Sequence, residues 1–424
     1  MKKIFKLCSA ITVLFLFSGC TNNTATSNLN DSEVVLCSDI KATIDNPEKT
    51  IEDFSNFSIP ADFILSVPNN LTYISEFTLG SESRLNSYDF YNDFVKLFNY
   101  VFPDHSINDL CFRYSGANSE RIYDDNGNII SDYKTVKESY DNIIANKEDI
   151  FMFIYDEGKM SEELNNPVTM QFTSPLYNDM ARFNRGECCK IAGVDISELF
   201  YSNEHFKVVG KYQPDSNQKF MMLDKEISIK EAVDFFENYI NNLPCQRNQG
   251  YTKTIVSEVE VLSLDDKHHG YNFLTTTSYN NLPFDRAKSG EQRHTNKNSE
   301  NYNYVLSTGL MIKSNEVDYV NGITRCHTIS DEKRYENIIS FNNALSIVSN
   351  SITSGVVFDV KKIELVYCSK FPNESITTIE TALFPTSPAW KFTLFNPNDN
   401  LNYVCYINAI DGSDFRYYTT ESKE

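Results

Sequence analysis

Two stretches of this chain open in nearly the same way. ISIKEAVDFFENYI begins at Ile227, and ISFNNALSIVSNSI begins at Ile339, an offset of 112 residues. Ile-Ser opens both, and Ala232 and Ala344, Asn238 and Asn350, and Ile240 and Ile352 coincide without a gap. In the first copy Ile229, Ala232, Val233, Phe236 and Ile240 recur at spacings of three and four. Phe341, Ala344, Leu345, Val348 and Ile352 do the same in the second. That spacing predicts one apolar stripe on a helix whose other face is polar. Ser228 with Glu231 three residues on predicts a capping box, and Ser340 repeats the cap with Asn343 in place of the glutamate.

The segments downstream of the two helices are alike in kind. TKTIVSEVEVLSL, the turn DDKHHG and YNFLTTTSYNNLPF come after the first; VVFDVKKIELVYC, PAWKFTLF and LNYVCYINAIDG come after the second. Runs rich in Val, Ile, Thr, Tyr and Phe between turn residues read as strands. The expected fold class is therefore α+β, with tandem units in which one helix covers one face of an antiparallel sheet.

PAWKFTLF followed by YVCYINAIDG resembles the end of PepSY-type domains and of the related extracytoplasmic regulators of a Gram-positive cell-wall sensor kinase. Pro388, Trp390, Tyr403, Tyr406, Asn408, Ala409, Asp411 and Gly412 carry the match. The likeness covers about residues 336–424, is weaker over 222–325, and does not extend before about residue 205. It implies a cystatin-like helix-and-sheet fold and a module that binds or inhibits, and it brings no catalytic residues. Trp390 and the tyrosines are expected in the core.

The rest, residues 51–205, reads as a separate α+β domain. SYDFYNDFVKLFNYVF suggests an aromatic amphipathic helix, and Asn126-Gly127 in RIYDDNGNIISDY suggests a hairpin turn. KTVKESYDNIIANK and EDIFMFIYDE read as helix then strand. Pro214-Asp215-Ser216-Asn217 is a candidate boundary turn. The first repeat unit is then drawn over 206–325 and the second over 326–424.

Residues 1–19 read as a secretory signal. Lys2, Lys3 and Lys6 precede an apolar run from Ile11 to Phe17, too short to span a bilayer comfortably. Phe17-Ser18-Gly19-Cys20 resembles the lipobox of bacterial lipoproteins, with Phe17 where Leu is usual. The resemblance implies that Cys20 carries a lipid on its sulfur and starts the mature chain. Residues 20–50 are expected as this lipidated cysteine and a flexible polar linker, since TNNTATSNLNDSE has almost nothing apolar to bury. The expected location is the extracytoplasmic face of the cell membrane.

The formal charge is −20. Loss of the leader's three lysines leaves 35 basic against 58 acidic residues. Such an excess argues against a nucleic-acid partner, whose affinity comes from clustered Lys and Arg. It equally disfavours adhesion to anionic lipid by charge. Of ten cysteines, Cys8 lies in the leader and Cys20 takes the lipid. The other eight, Cys37, Cys111, Cys188, Cys189, Cys245, Cys326, Cys368 and Cys405, show no CxxC pair. The compartment permits disulfides, but spacing does not choose a pairing. Cys368 and Cys405 stand inside apolar strand-like runs, where a buried thiol is expected.

Motifs that carry chemistry are scarce. GxSxG, HExxH and a glycine-rich phosphate loop are absent. DDNGN from Asp124 fails the calcium-loop pattern, because Ile129 stands where Gly is required. Asp265, Asp266, His268 and His269 could in principle hold zinc or copper, yet a polar turn accounts for them, and no metal or cofactor is expected. His105, His205, His294 and His327 have no spaced partners. A Ser, His and Asp triad assembled by the fold would leave no local signature. The expectation is a non-catalytic, lipid-anchored surface protein that binds or regulates an extracytoplasmic protein or wall component. The alternatives are a cell-surface hydrolase and a solute-binding lipoprotein of a transporter. The latter normally alternates β and α in two lobes, unlike the helix-then-strands order here.

Overall fold

The computed structural model describes residues 34–81, 90–103, 169–172, 181–185, 191, 206–243, 252–287, 301–302, 304–305, 307–321, 327–352, 355–370 and 383–420. In chain order the first elements are β1 (Val34–Leu36), α1 (Pro47–Glu52), β2 (Phe57–Ser58), β3 (Ile64–Ser66), β4 (Ile74–Ser81) and α2 (Phe90–Val101). Then come β5 (Thr169–Phe172), β6 (Ala181–Asn184), β7 (Lys207–Tyr212), β8 (Lys219–Met221), β9 (Glu226–Ser228) and α3 (Ile229–Asn241). The long hairpin β10 (Thr252–Ser263) and β11 (His269–Tyr279) is next, then β12 (Leu282–Pro283), β13 (Arg286–Ala287), β14 (Asn301–Tyr302), β15 (Tyr304–Val305), β16 (Ser307–Met311) and β17 (Tyr319–Asn321). The chain ends with β18 (His327–Tyr335), β19 (Asn337–Ile339), α4 (Phe341–Ser351), β20 (Phe358–Lys370), β21 (Leu383–Asn396), β22 (Leu401–Asn408) and β23 (Arg416–Thr420). The described residues are mostly sheet with a few helices, an α+β fold. None of these helices is long and apolar enough to cross a membrane.

Two large sheets organise these strands. The first runs β5-β6-β17-β16-β11-β10-β7. The second has the path β14-β20-β21-β22-β23, with β2 and β3 on β20, and β4 joining β21 to β18. Each carries one of the paired helices. Ile229, Ala232, Val233, Phe236 and Ile240 of α3 are buried with Val259, Val261, Tyr271 and Phe273 of β10 and β11. Phe341, Ala344, Leu345 and Val348 of α4 are buried with Ile363, Leu365, Trp390, Phe392 and Ile407. The stripe read from sequence is thus the packed face in both helices, and Ile352 falls just past the end of α4 as its C-cap.

The helix starts follow their local chemistry. Ser228 accepts from the Glu231 amide, and the Glu231 carboxylate accepts from the Ser228 amide, closing the capping box. Ser340 accepts from the Asn343 amide at 3.2 Å. Each helix leads into a strand with a bulge near its beginning, between Val256 and Glu258 in β10 and between Val360 and Lys362 in β20. Gly309 of β16 lies under α3: a Cβ there would stand 2.2 Å from the Phe236 ring.

The described part of residues 51–205 does not stand apart as a domain. β2 and β3 pair in parallel with β20, while β4 pairs with β18 and β21. β5 and β6 extend the first sheet through β17. Leu97, Phe98, Val101 and Phe102, in and just after α2, sit in the first core. Even β1, inside the expected linker 20–50, pairs with β19. The boundary drawn at 205 therefore separates strands that share sheets. The physical reason is the edge of β20, whose unpaired amides and carbonyls need partners. Four short pieces lie along it: β2 at Phe358, β3 at Lys362–Glu364, Phe284 and Asp285 at Tyr367, and β14 at Ser369 and Lys370. Periodicity predicts strands but not which edges they close.

The N-terminal segment also fills the end of α4. The Asn56 side chain donates to the Ser349 carbonyl at 2.9 Å and accepts from its hydroxyl at 2.8 Å. At the corresponding place on α3, Glu237 accepts from the Val256 amide at 2.7 Å. The Asn241 side chain donates to the Thr254 carbonyl and accepts from the Thr254 amide. One helix thus reaches its own following strand, and the other is bridged by residues nearly 300 positions away. The Asn126-Gly127 turn and the helix and strand expected over 134–157 lie outside the described residues.

Candidate functional site

Several of the residues that carried the family resemblance meet at α4. Ile339, the residue before the cap, is held from both sides. Its amide donates to the Ala409 carbonyl at 2.9 Å, and its carbonyl accepts from the Trp390 indole at 3.2 Å. Ala409 in turn donates to the Pro388 carbonyl at 2.9 Å. Gly412 has φ +73°, and a Cβ there would meet the Ile347 side chain at 2.7 Å, so the turn requires glycine. Asp411 accepts from the Ser413 amide, and the Asn408 side chain accepts from the Ile410 amide. Trp390 and Tyr403 are buried in the core. These groups position a helix and fix a turn.

The first sheet holds the same relation. The Tyr271 hydroxyl donates to the carbonyl of Ile227, again the residue before the cap, at 2.8 Å. Tyr271 and Trp390 both lie on the second strand after their helix. Phe236 of α3 stacks on Phe273 at 4.5 Å, and Phe341 of α4 meets Trp390 edge-on at 5.9 Å.

Tyr406 is buried as expected, packed with Cys368 and Ala389, but on the other face of its sheet. It faces away from α4, in a row Glu364, Lys391, Tyr406 and Arg416 that runs across β20, β21, β22 and β23. Asp285, brought over from the segment after β12, enters this row and is 3% exposed. Its carboxylate accepts from Lys391 Nζ at 2.6 Å and from the Tyr406 hydroxyl at 2.6 Å. Lys391 Nζ also stands 3.7 Å from Glu364, which bonds Lys362 at 2.8 Å. The Arg416 guanidinium lies 5.9 Å from the Tyr406 ring centre, and one of its nitrogens is 4.0 Å from Cys368 Sγ. Burial pushes the Cys368 thiol up to about 12. The lysine is paired with two carboxylates and the thiol is held protonated at neutral pH, so this arrangement suits locking strands together. Sequence reading missed it because Asp285 and Lys391 lie 106 residues apart and share no motif.

The hairpin tip that suggested a metal is internally bonded. His268 Nδ1 lies 2.8 Å from Asp265 Oδ2, and the amides of Lys267 and His268 donate to the other oxygen. The His268 side chain and these two amides hold the Asp265 carboxyl down at about 2. His269 turns away, its ring 5.2 Å from that of Phe220. Among the described residues no three His, Cys, Asp or Glu side chains are grouped to hold a metal ion. Cys37, Cys368 and Cys405 are free, buried thiols. Cys20, Cys111, Cys188, Cys189, Cys245 and Cys326 lie outside the described residues, as do His105, His205 and His294; of His327 only the backbone is described.

No protein-family model matches this chain. No curated protein matches it either. Solved structures resemble it only distantly, among them the following two. An uncharacterized protein from Eubacterium rectale ATCC 33656 is 11% identical, with a TM-score of 0.47, over 88% of this chain and 99% of that one. The Bacillus megaterium YpeB C-terminal domain is 10% identical, with a TM-score of 0.22, over 68% of this chain and 96% of that one.

Proposed function

We propose that this chain is a non-catalytic protein, tethered by a lipid on Cys20 to the outer face of the cell membrane, that binds or regulates an extracytoplasmic protein or cell-wall component. Its α3 and α4 regions form tandem PepSY-like units on this reading. The observation that supports it is the recurrence of one helix anchor in both sheets. An aromatic donor on the second strand, Tyr271 or Trp390, reaches the carbonyl before each serine cap. Beyond the caps, a bulge recurs in each next strand. Residues at the resemblance motif serve this anchoring, which leaves rigid sheets to display side chains to a partner.

Three measurements test the reading. Mild crosslinking on intact cells followed by capture of the chain should retrieve an extracytoplasmic protein or wall fragment, and Cys20→Ser should lose labelled fatty acid. The purified chain should turn over no peptide, ester, glycan or phosphoester substrate. Reproducible hydrolysis, abolished by changing a single Ser, His, Asp or Glu, would establish the enzyme instead.

A further inference from the structure

The two sheets meet at a joint built from three distant parts of the chain. β11 contributes to both cores: Tyr271 and Phe273 lie under α3, whereas Tyr279 lies in the core under α4. Around Tyr279 gather Phe77 of β4, Phe284 after β12 and Tyr367 of β20. Phe77 stands 5.3 Å from Tyr279, 6.1 Å from Phe284 and 5.0 Å from Tyr367. Such a joint holds the sheets together, but apolar packing is non-directional and does not by itself choose an angle.

Two directional bonds stand at the edge of the joint, from the Tyr279 hydroxyl to Glu332 at 2.6 Å and from the Asn280 side chain to the Tyr73 carbonyl at 2.7 Å, and Asp285 adds three more from a single buried residue. Its amide donates to the Tyr367 carbonyl at 2.8 Å, and its carboxylate is gripped by Lys391 and Tyr406 on two neighbouring strands of the second sheet. Three bonds from one residue to three strands fix a position in space. We propose that Asp285 is the orienting pin of this joint: it sets the angle between the α3-bearing and α4-bearing sheets, while the aromatic rings supply only adhesion. The carboxylate is nearly inaccessible to water and its contacts all lie on the second sheet, although its own segment continues directly from the first. Cys368 lies near enough to feel its charge and Arg416 stands by Cys368, neither of them on the first sheet. The angle between two sheets also decides which surfaces a single partner can touch at once.

The test is a distance distribution in the full chain. Spin labels on non-natural residues at Asp234 of α3 and Asn350 of α4, both exposed, leave the native cysteines untouched. The unaltered chain should give one narrow distance. Asp285→Asn should broaden it at least twofold while circular dichroism stays native. The pair Asp285→Asn with Lys391→Met, which removes the stranded charge, should stay broad. A return to the narrow distribution in that pair would mean that charge imbalance alone was at work, and would overturn the pin. A narrow distribution in Asp285→Asn would overturn it too. Should that variant not fold, Tyr406→Phe removes one bond only, and an unbroadened distance there counts equally against the proposal.

Discussion

The indole of Trp390 and the carbonyl of Ile339, 51 residues apart, form a hydrogen bond of 3.2 Å that ties the second strand of a sheet to the entrance of its helix. Tyr271 makes the matching bond to Ile227 in the first sheet. Tyr271→Phe keeps the ring and removes only the donor, so it should cost about 1 kcal/mol, the usual net worth of such a bond. Trp390→Phe also shrinks a fully buried side chain and should cost more, on the order of 2–4 kcal/mol. Denaturant unfolding measures both. Equal costs for the two variants would contradict this account.

The contact between Phe236 and Gly309 leaves no room for a methyl group. Gly309→Ala should destabilise the first core by about 1–3 kcal/mol through overpacking. Phe236→Ala, which opens a cavity at the same place, should cost about 3–5 kcal/mol. Combining them should cost less than their sum, because the ring that clashes is gone. A double-mutant cycle in urea reads the difference.

Glu237 is a half-buried acid, and loss of water around it raises its carboxyl above the usual range despite the bond from the Val256 amide. A folded-state value above the unfolded one means that the native chain binds more protons. Its contribution is therefore fully present below the unfolded value, about 4.3, and is lost as pH rises through the folded value. Glu237→Gln keeps an oxygen for Val256 and carries no charge. The variant should be at least as stable as the parent at pH 7 and should lose this part of the pH dependence. Unfolding midpoints across pH 4–8 are the measurement, and a less stable variant at pH 7 would refute the reading.

Residues 34–66 cover the edge of β20 and the end of α4. Their removal should expose that edge and lead to loss of soluble chain through edge-to-edge pairing. Asn56→Ala is the milder variant, cutting two bonds to Ser349, and should cost about 1–2 kcal/mol. Sedimentation of the truncated chain and thermal unfolding of the point variant check the two parts.

Burial pushes the thiols of Cys368 and Cys405 up to about 12 and that of Cys37 up to about 11. All three should resist alkylation in the folded chain at pH 8 and react after denaturation, as peptide mass mapping would show. Fast labelling of Cys405 before unfolding would place it elsewhere than between α4 and its sheet.

Local chemistry determined the helices and most long strands. Ser228 with Glu231, Ser340 alone, and the three-and-four spacing from Ile229 to Ile240 act within a few turns of chain, so they are legible in order along the sequence. The same holds for strands rich in Val, Ile, Tyr and Phe, such as β10, β20 and β22. Cys368 and Cys405 are legible as buried thiols for the same reason. What only the tertiary structure decided is which edges meet. Ile64 beside Lys362, Phe57 beside Phe358 and Asp285 between Lys391 and Tyr406 join residues more than 100 positions apart. A backbone edge accepts any strand of suitable length, and a buried carboxylate accepts any donor brought near it. Such pairings depend on how whole layers stack, and no short stretch of residues encodes them. For that reason residues 51–205 read as a domain of their own, although their described strands complete two sheets whose helices lie far along the chain.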